Sequence, residues 1–451
     1  MVHTKLLKLL EKEQERQKST LDLIASENYT SKSVRRAVGS VFMHKYSEGY
    51  PGARYYEGNE FIDDLENLAI KMVKKVFKVD DKAWHVNVQP PSGSIANLAV
   101  YNAILKPGDK ILAMYLPDGG HLSHGWSYTP TKERTKKEKE EMESSMVYYG
   151  GKKKLTLNSK IFNVVQYKTD PKTNLFDYDF IRKLAKKEKP KLIITGGTAY
   201  PREIDYKIIS EIAKEVGAYY LADVAHEAGL IAGGAMNSPF DYVDFVTFTT
   251  HKTLRGPKGA VIMCRNEYAD KIDRSVIPGF LGGPLNHTIA GITQALFEAD
   301  TNEFKEYSAR IIRNAKALGE ELKKKGFDLV SGGTDKHLLV IDLTNKKVLG
   351  KKVSRALYLA GIVSNKTTVP YEKKSPINPS GIRLGTPSIT TRGMHPENMS
   401  ELANIISDAV DVAAEFRKLK FTEFQEELEN DYRIKELREK VRKICDQFPI
   451  E

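Results

Sequence analysis

The chain is poor in cysteine, with two thiols, Cys264 and Cys445, in 451 residues. A count of two supports no disulfide framework, and without a CxxC or a Cys/His cluster no metal site is expected. Apolar runs long enough to span a bilayer are also missing. The opening Met1-Val2-His3-Thr4-Lys5 begins a charged helix rather than a signal peptide. A cytoplasmic protein without a membrane partner is therefore expected. Internal repeats and low-complexity linkers are absent too. What is present is a globular composition, 41% hydrophobic and 29% charged, with length enough for two domains and ample core. The net charge of +11 would suit nucleic acid or a phosphorylated ligand. Much of it, however, lies in Lys/Glu mixtures such as residues 132–141, which read as solvated helix faces. Nucleic acid is not the expected partner.

Periodicity organises the rest. Residues 1–19 read as an amphipathic helix, with Leu6, Leu7, Leu9 and Leu10 set against lysines and glutamates. Glycine- and tyrosine-rich sequence at 46–58 is too irregular for a regular element. Strands are expected at 110–116, 162–167, 191–197, 219–225, 245–251 and 259–264, with helices such as 177–188 and 205–216 between them. Near-continuous apolar strands alternating with helices specify an α/β fold, a mostly parallel sheet covered by helices on both faces. Residues 127–155 interrupt the alternation with a polar surface insertion. A long helical stretch, 292–325, leads to a strand at 338–343 and a change of rhythm, and the charged segment 421–448 reads as helix. The expected division is an N-terminal helix and arm (1–52), a large domain (53–291) and a smaller α+β C-terminal domain (292–451).

Three segments carry chemistry. Lys252 follows the apolar run Phe245–Phe248 and precedes the glycine-rich turn Gly256-Pro257-Lys258-Gly259. An ammonium there is costly as packing but sensible as a nucleophile that forms a Schiff base with a carbonyl cofactor. Asp223 closes another apolar strand, at the edge where parallel-sheet proteins bind ligands, and could hold a protonated pyridine nitrogen with His226 close by. Ser92-Gly93-Ser94 precedes a helix, with Ser94 the expected N-cap and the free N–H groups a phosphate cup. A phosphate cup, a pyridinium carboxylate and a Schiff-base lysine are what a protein must give pyridoxal phosphate.

Longer motifs make the reading specific. LIASENYT (23–30), KYSEGYPGARYY (45–56), GGHLSHG (119–125), TTHKTLRGPKG (249–259) and SGIRLGTP (380–387) resemble serine hydroxymethyltransferase, a fold-type I pyridoxal-phosphate transferase, over about residues 20–415. The resemblance implies that Lys252 carries the cofactor, Asp223 pairs with its ring nitrogen, and His121 stacks on the ring face. Thr198 and His226 would lie near the phenolic oxygen. Ser92, Gly93 and Ser94 would bind the cofactor's phosphate, joined by Gly282 and Gly283 of a neighbouring subunit, and Thr249 would also bind the cofactor. Arg383 would clamp the substrate carboxylate, a bidentate task suited to guanidinium, with Ser26 and with Tyr46 from the partner chain. Glu48 resembles the family's acid/base carboxylate near the serine hydroxyl, and Tyr56 is a second candidate for proton handling. The co-substrate would be a reduced pterin over Leu116, Gly119, Gly120 and Leu122. Serine, glycine and the pterin are the implied ligands, and a homodimer with active sites at the subunit interface is the implied assembly.

The departures from the family pattern fall around the pterin. Pro91 and Ile95 stand where the family commonly has His and Gln, Leu281 where it has Gln, and Lys258 where it has Arg. Thr367 replaces an asparagine that contacts folate. A threonine hydroxyl reaches less far than an amide that donates and accepts at once. A modified pterin such as tetrahydromethanopterin, as in archaeal members of that family, is therefore weighed beside tetrahydrofolate. Two rival readings are a threonine aldolase-type retro-aldol enzyme on the same fold and a basic RNA-binding protein built on the scaffold.

Overall fold

The computed structural model describes residues 3–136, 140 and 143–450. Positions 137–139, 141 and 142 of the Lys/Glu-rich run, and the first two residues of the N-terminal helix expected at 1–19, lie outside the described residues. The chain forms two compact units, residues 30–309 and residues 1–29 with 310–451. The N-terminal segment belongs with the C-terminal unit because Leu21–Asp22 pairs in parallel with Ile362–Val363.

The unit 30–309 is built on eight strands: β1 (Trp84–Asn87), β2 (Lys110–Met114), β3 (Val147–Tyr148), β4 (Asn163–Tyr167), β5 (Leu192–Thr195), β6 (Tyr219–Asp223), β7 (Phe245–Thr249) and β8 (Ala260–Arg265). Their order is β1-β8-β7-β6-β5-β2-β4-β3. The five central strands β7, β6, β5, β2 and β4 are mutually parallel. All six expected strands are present, with ends shifted by one to two residues. The two edge strands β1 and β3 escape a hydrophobicity reading. In β1, His85 and Asn87 alternate with Trp84 and Val86 and spend their polar groups on Asp273 at 2.8 Å. Within the central strands successive residues are buried on opposite faces. Leu221 joins the cluster of Ala96, Val100, Ile111, Ile194 and Phe245, whereas Tyr220 turns away and bonds Thr195 at 2.8 Å. A sheet buried on both faces is what the continuous apolar strands require.

The helical stretch expected at 292–325 is two helices, Asn286–Ala299 and Asn302–Lys324. Thr301 makes the break, its hydroxyl accepting from the Phe304 N–H at 3.2 Å. The irregular segment 46–58 contains a tight hairpin, Gly49–Tyr50 against Ala53–Arg54. At the base of the insertion, Ser127–Tyr128 pairs antiparallel with Lys153–Lys154.

The other unit is α+β. Strands β9 (Asp328–Leu329), β10 (Leu338–Asp342), β11 (Asn365–Thr367) and β12 (Gly381–Gly385) form an antiparallel sheet in the order β9-β10-β12-β11. Leu339, Ile341, Ile382 and Leu384 pack with Leu318, Ile405, Ile406 and Val441 into its core. The charged C-terminal segment is two helices, Phe421–Asn430 and Tyr432–Gln447, divided at Asp431, which caps the second. No described helix is long and apolar enough to cross a membrane.

Candidate active site

Five chain segments meet the sheet at one edge. Strands β2, β5, β6 and β7 run parallel, so the residues after their C-terminal ends gather on the same side: Gly119–His121, Gly196–Thr198, Asp223 and the turn holding Lys252. In this kind of sheet the C-terminal edge is where ligands bind. The helix Gly93–Ile104 brings its N-terminus to the same strands, packing on β7 and β8. A Cβ on Gly93 would lie 2.8 Å from Thr249 Cγ2 at the end of β7, so glycine is needed for that approach. The helix begins two residues earlier than expected. Ser92, not Ser94, is the N-cap, accepting from the Ile95 N–H at 3.5 Å, because Gly93 and Ser94 already hold helical geometry. Gly93 and Ser94 then supply first-turn N–H groups, which have no partner within the helix.

Asp223 is the electrostatic centre. Its carboxylate accepts from Asn97 Nδ2 at 2.8 Å, from His124 Nε2 at 2.9 Å and from the Ala225 N–H at 3.1 Å. Burial opposes its ionisation, but the bonds from His124 and Asn97 and the nearby His121 prevail, holding Asp223 below the ordinary carboxylate range. His121 is the converse. Burial, helped by the Lys252 ammonium and only partly countered by Asp223, pushes its imidazole down to about 4, so the ring is neutral near pH 7. His121 Nδ1 lies 2.6 Å from Ser123 Oγ, which also accepts from Asn97. Asn97 was not singled out from the sequence, yet it joins Asp223, Ser123 and Thr247. A buried amide within the apolar run Ala96–Val100 was the available signal. His124 passes for structural on sequence but donates directly to Asp223.

Lys252 is 8% exposed and sits in a turn fixed at both ends. The Gly256 N–H donates to the Thr250 carbonyl at 2.7 Å, and Thr250 Oγ1 donates to the Pro257 carbonyl at 2.6 Å. Thr253 Oγ1 donates to the His226 carbonyl at 3.0 Å, tying this turn to the segment after Asp223. Arg255 adopts φ +60°, with its guanidinium 4.2 Å from the centre of the Tyr307 ring. The expected pterin loop is anchored from beneath. Thr198 donates through its N–H to Gly119 O at 2.7 Å and through Oγ1 to Gly120 O at 3.0 Å. Leu122 is 52% exposed on the loop and Leu116 is half-buried.

A second group gathers elsewhere in the same unit. Tyr56 OH donates to Glu48 Oε2 at 3.4 Å, and Tyr46 meets Tyr56 edge-on at 5.6 Å. A Cβ on Gly282 would lie 2.8 Å from Glu48 Oε1, and one on Gly283 would lie 3.1 Å from the Tyr46 ring. Tyr46 and Tyr56 are exposed. In the other unit, Arg383 on β12 is buried and donates to Asn365 Oδ1 at 3.2 Å, and burial lowers its guanidinium to about 10. Thr367 lies on the neighbouring strand, paired with Gly381. Gly385 packs directly on Ala25, so the segment bearing Ser26 lies against the strand bearing Arg383.

His121, His124 and Asp223 offer three ligand atoms within 4.8 Å of one another, a spacing that could hold a metal ion. An ion would have to compete with the Asn97 amide for Asp223 Oδ2. A pyridine ring fits the donors better, since it needs an ionised buried carboxylate at its nitrogen and a neutral imidazole on its face. With a helix N-terminus offering free N–H groups and a buried lysine at the same sheet edge, the residues fit pyridoxal phosphate, and the fold and site define a fold-type I pyridoxal-phosphate enzyme. A family model described as serine hydroxymethyltransferase matches residues 1–406. A relative from Methanosarcina barkeri (strain Fusaro / DSM 804), named serine hydroxymethyltransferase, is 47% identical over 446 residues, covering 99% of this chain and 97% of its own length. The chain belongs to the serine hydroxymethyltransferase family and is an enzyme of glycine/serine hydroxymethyl transfer.

Proposed function

We propose that this enzyme moves a one-carbon unit between serine and a modified reduced pterin such as tetrahydromethanopterin, using Lys252 as its cofactor lysine and Glu48 as its acid/base. The assembly of Lys252, Asp223, His121 and the Gly93 helix start at one sheet edge carries the cofactor part of this reading. When bound, pyridoxal phosphate supplies a protonated ring that accepts the electrons released as a bond at the amino-acid α-carbon breaks. Ser92, Gly93 and Ser94 hold its phosphate, with Gly282 and Gly283 contributed by a second copy of the chain, and Thr249 binds the cofactor beside them. Asp223 keeps the ring nitrogen protonated, and its own low proton affinity suits that task. His121 presents an uncharged face to the ring, while Thr198 and His226 serve the phenolic oxygen.

Arg383, with Ser26 and with Tyr46 from a second copy of the chain, takes the substrate carboxylate. Its buried guanidinium stays charged at pH 7 and offers paired donors. Glu48 accepts the proton of the serine hydroxyl as the hydroxymethyl carbon departs, and Tyr56, already donating to Glu48 Oε2, orients that carboxylate. The exposure of Tyr46, Tyr55, Tyr56 and Phe61 supports a homodimer in which this face meets a partner. The proposed compartment is the cytoplasm.

The pterin rests over Leu116, Gly119, Gly120 and Leu122. Thr367, in place of an asparagine amide, supports a carrier other than tetrahydrofolate. Serine-to-glycine conversion is to be timed with tetrahydrofolate and with tetrahydromethanopterin. Faster transfer to tetrahydromethanopterin is expected, and a clear preference for tetrahydrofolate overturns the carrier assignment. Thr367→Asn should move the preference toward tetrahydrofolate.

A further inference from the structure

The hairpin that carries Glu48 is held by a buried network that the cofactor site does not use. The Arg54 side chain is 4% exposed and that of Glu66 is 1% exposed. Arg54 Nη1 donates to the Ser47 carbonyl at 3.0 Å and to the Gly49 carbonyl at 2.7 Å, the residues on either side of Glu48. Its Nη2 donates to Glu66 Oε2 at 2.5 Å and its Nε to Asp63 Oδ1 at 2.8 Å. Gln89 Nε2 closes a ring, donating to Glu66 Oε1 at 2.7 Å and to the same Gly49 carbonyl at 3.0 Å. From the other side, Asn286 accepts from Ser47 Oγ at 2.8 Å and donates to the Lys45 carbonyl at 2.9 Å. A Cβ on Gly49, which has φ +96°, would lie 2.3 Å from the Ala53 carbonyl oxygen, so the backbone has no slack at that residue.

A hairpin of two-residue strands cannot fix a side chain by its own ladder. An arginine that grips both flanking carbonyls can, because its guanidinium is rigid and its own position is set by two carboxylates. We propose that Arg54, held by Glu66 and Asp63, is a positioning residue for the Glu48 carboxylate, setting where that carboxylate meets the hydroxyl of serine. This rests on Glu48 as the acid/base of the reaction. Lysine would not replace Arg54, since one ammonium cannot span both carbonyls and both carboxylates.

The test is a double-mutant cycle on the holoenzyme with serine and the pterin. Glu48→Gln is expected to slow turnover, and Arg54→Met to lower kcat by on the order of a hundredfold, the cost of a misplacement of about 1 Å. KM for serine and the affinity for pyridoxal phosphate should change little in Arg54→Met. Arg54→Lys should recover less than a tenth of the lost rate. Because Arg54 acts through Glu48, the double variant should be no slower than Glu48→Gln alone. Losses that multiply in the double variant overturn the positioning role, as does an Arg54→Met enzyme that retains wild-type kcat. A Glu48→Gln enzyme with unchanged kcat fails differently, removing the acid/base reading and the positioning role with it. Should Arg54→Met not fold, Glu66→Gln, which keeps an acceptor for Arg54, enters the same cycle and is read by the same criterion.

Discussion

Replacing Gly93 by alanine tests the phosphate end of the site through a single contact. The new Cβ would lie 2.8 Å from Thr249 Cγ2, about 1 Å inside the ordinary carbon–carbon separation. Thr249 ends a central strand and cannot retreat freely, so the helix start must move away from β7. Overpacking of this kind costs about 1–3 kcal/mol, offset by up to ~1 kcal/mol because alanine favours helix over glycine. The unloaded protein should therefore lose no more than about 2 kcal/mol of stability. The cofactor loses more, because the first-turn N–H groups move away from the phosphate. A loss of about 1–3 kcal/mol there weakens pyridoxal phosphate binding roughly fivefold to 150-fold. The affinity can be measured by absorbance titration of the cofactor-free enzyme. Thr249→Ser removes Cγ2 and keeps the hydroxyl, so Gly93→Ala/Thr249→Ser should bind within about threefold of wild type. Wild-type affinity in Gly93→Ala, or a double variant as weak as the single one, would refute the role assigned to this contact.

Other consequences follow from the charges. In Asp223→Asn the side-chain oxygen can still accept from the Ala225 N–H, but its NH2 faces the Asn97 amide. Stability should drop by about 1–3 kcal/mol on urea unfolding, and turnover should collapse even where cofactor is retained. His121 is held near 4 in the folded state against an ordinary value of 6.5, so the unfolded chain takes up its proton first. Its contribution to the stability of the cofactor-free protein is full above pH 6.5 and is lost as pH falls toward 4; His121→Phe should flatten that part of the melting profile. Arg383→Lys should raise KM for serine roughly tenfold or more, the cost of one charge-assisted hydrogen bond, with kcat less affected.

The elements most legible in the sequence are those whose residues are buried on both faces. Strands β2, β4, β5, β6, β7 and β8 are near-continuous apolar runs, and Lys252 and Asp223 stand out as polar groups at strand ends. Strand β1 was not legible because half its side chains are polar and serve a partner, Asp273, nearly two hundred residues away. The helix start at Ser92 was misplaced because both serines suit a cap, and the close approach of Gly93 to Thr249 chooses between them. Asn97, His124 and Arg54 could not be assigned for a shared reason. Each acts through a tertiary hydrogen bond, and sequence periodicity carries no information about which buried polar group faces which.

The central claim is that Lys252 carries the cofactor. Borohydride reduction of the purified, yellow holoenzyme followed by peptide mapping tests it directly. One phosphopyridoxyl label per chain, on the peptide containing Lys252, is predicted, with no label in Lys252→Ala treated alike. A label on another lysine, such as the buried Lys168, or a protein that binds pyridoxal phosphate yet takes no reducible label, would contradict it.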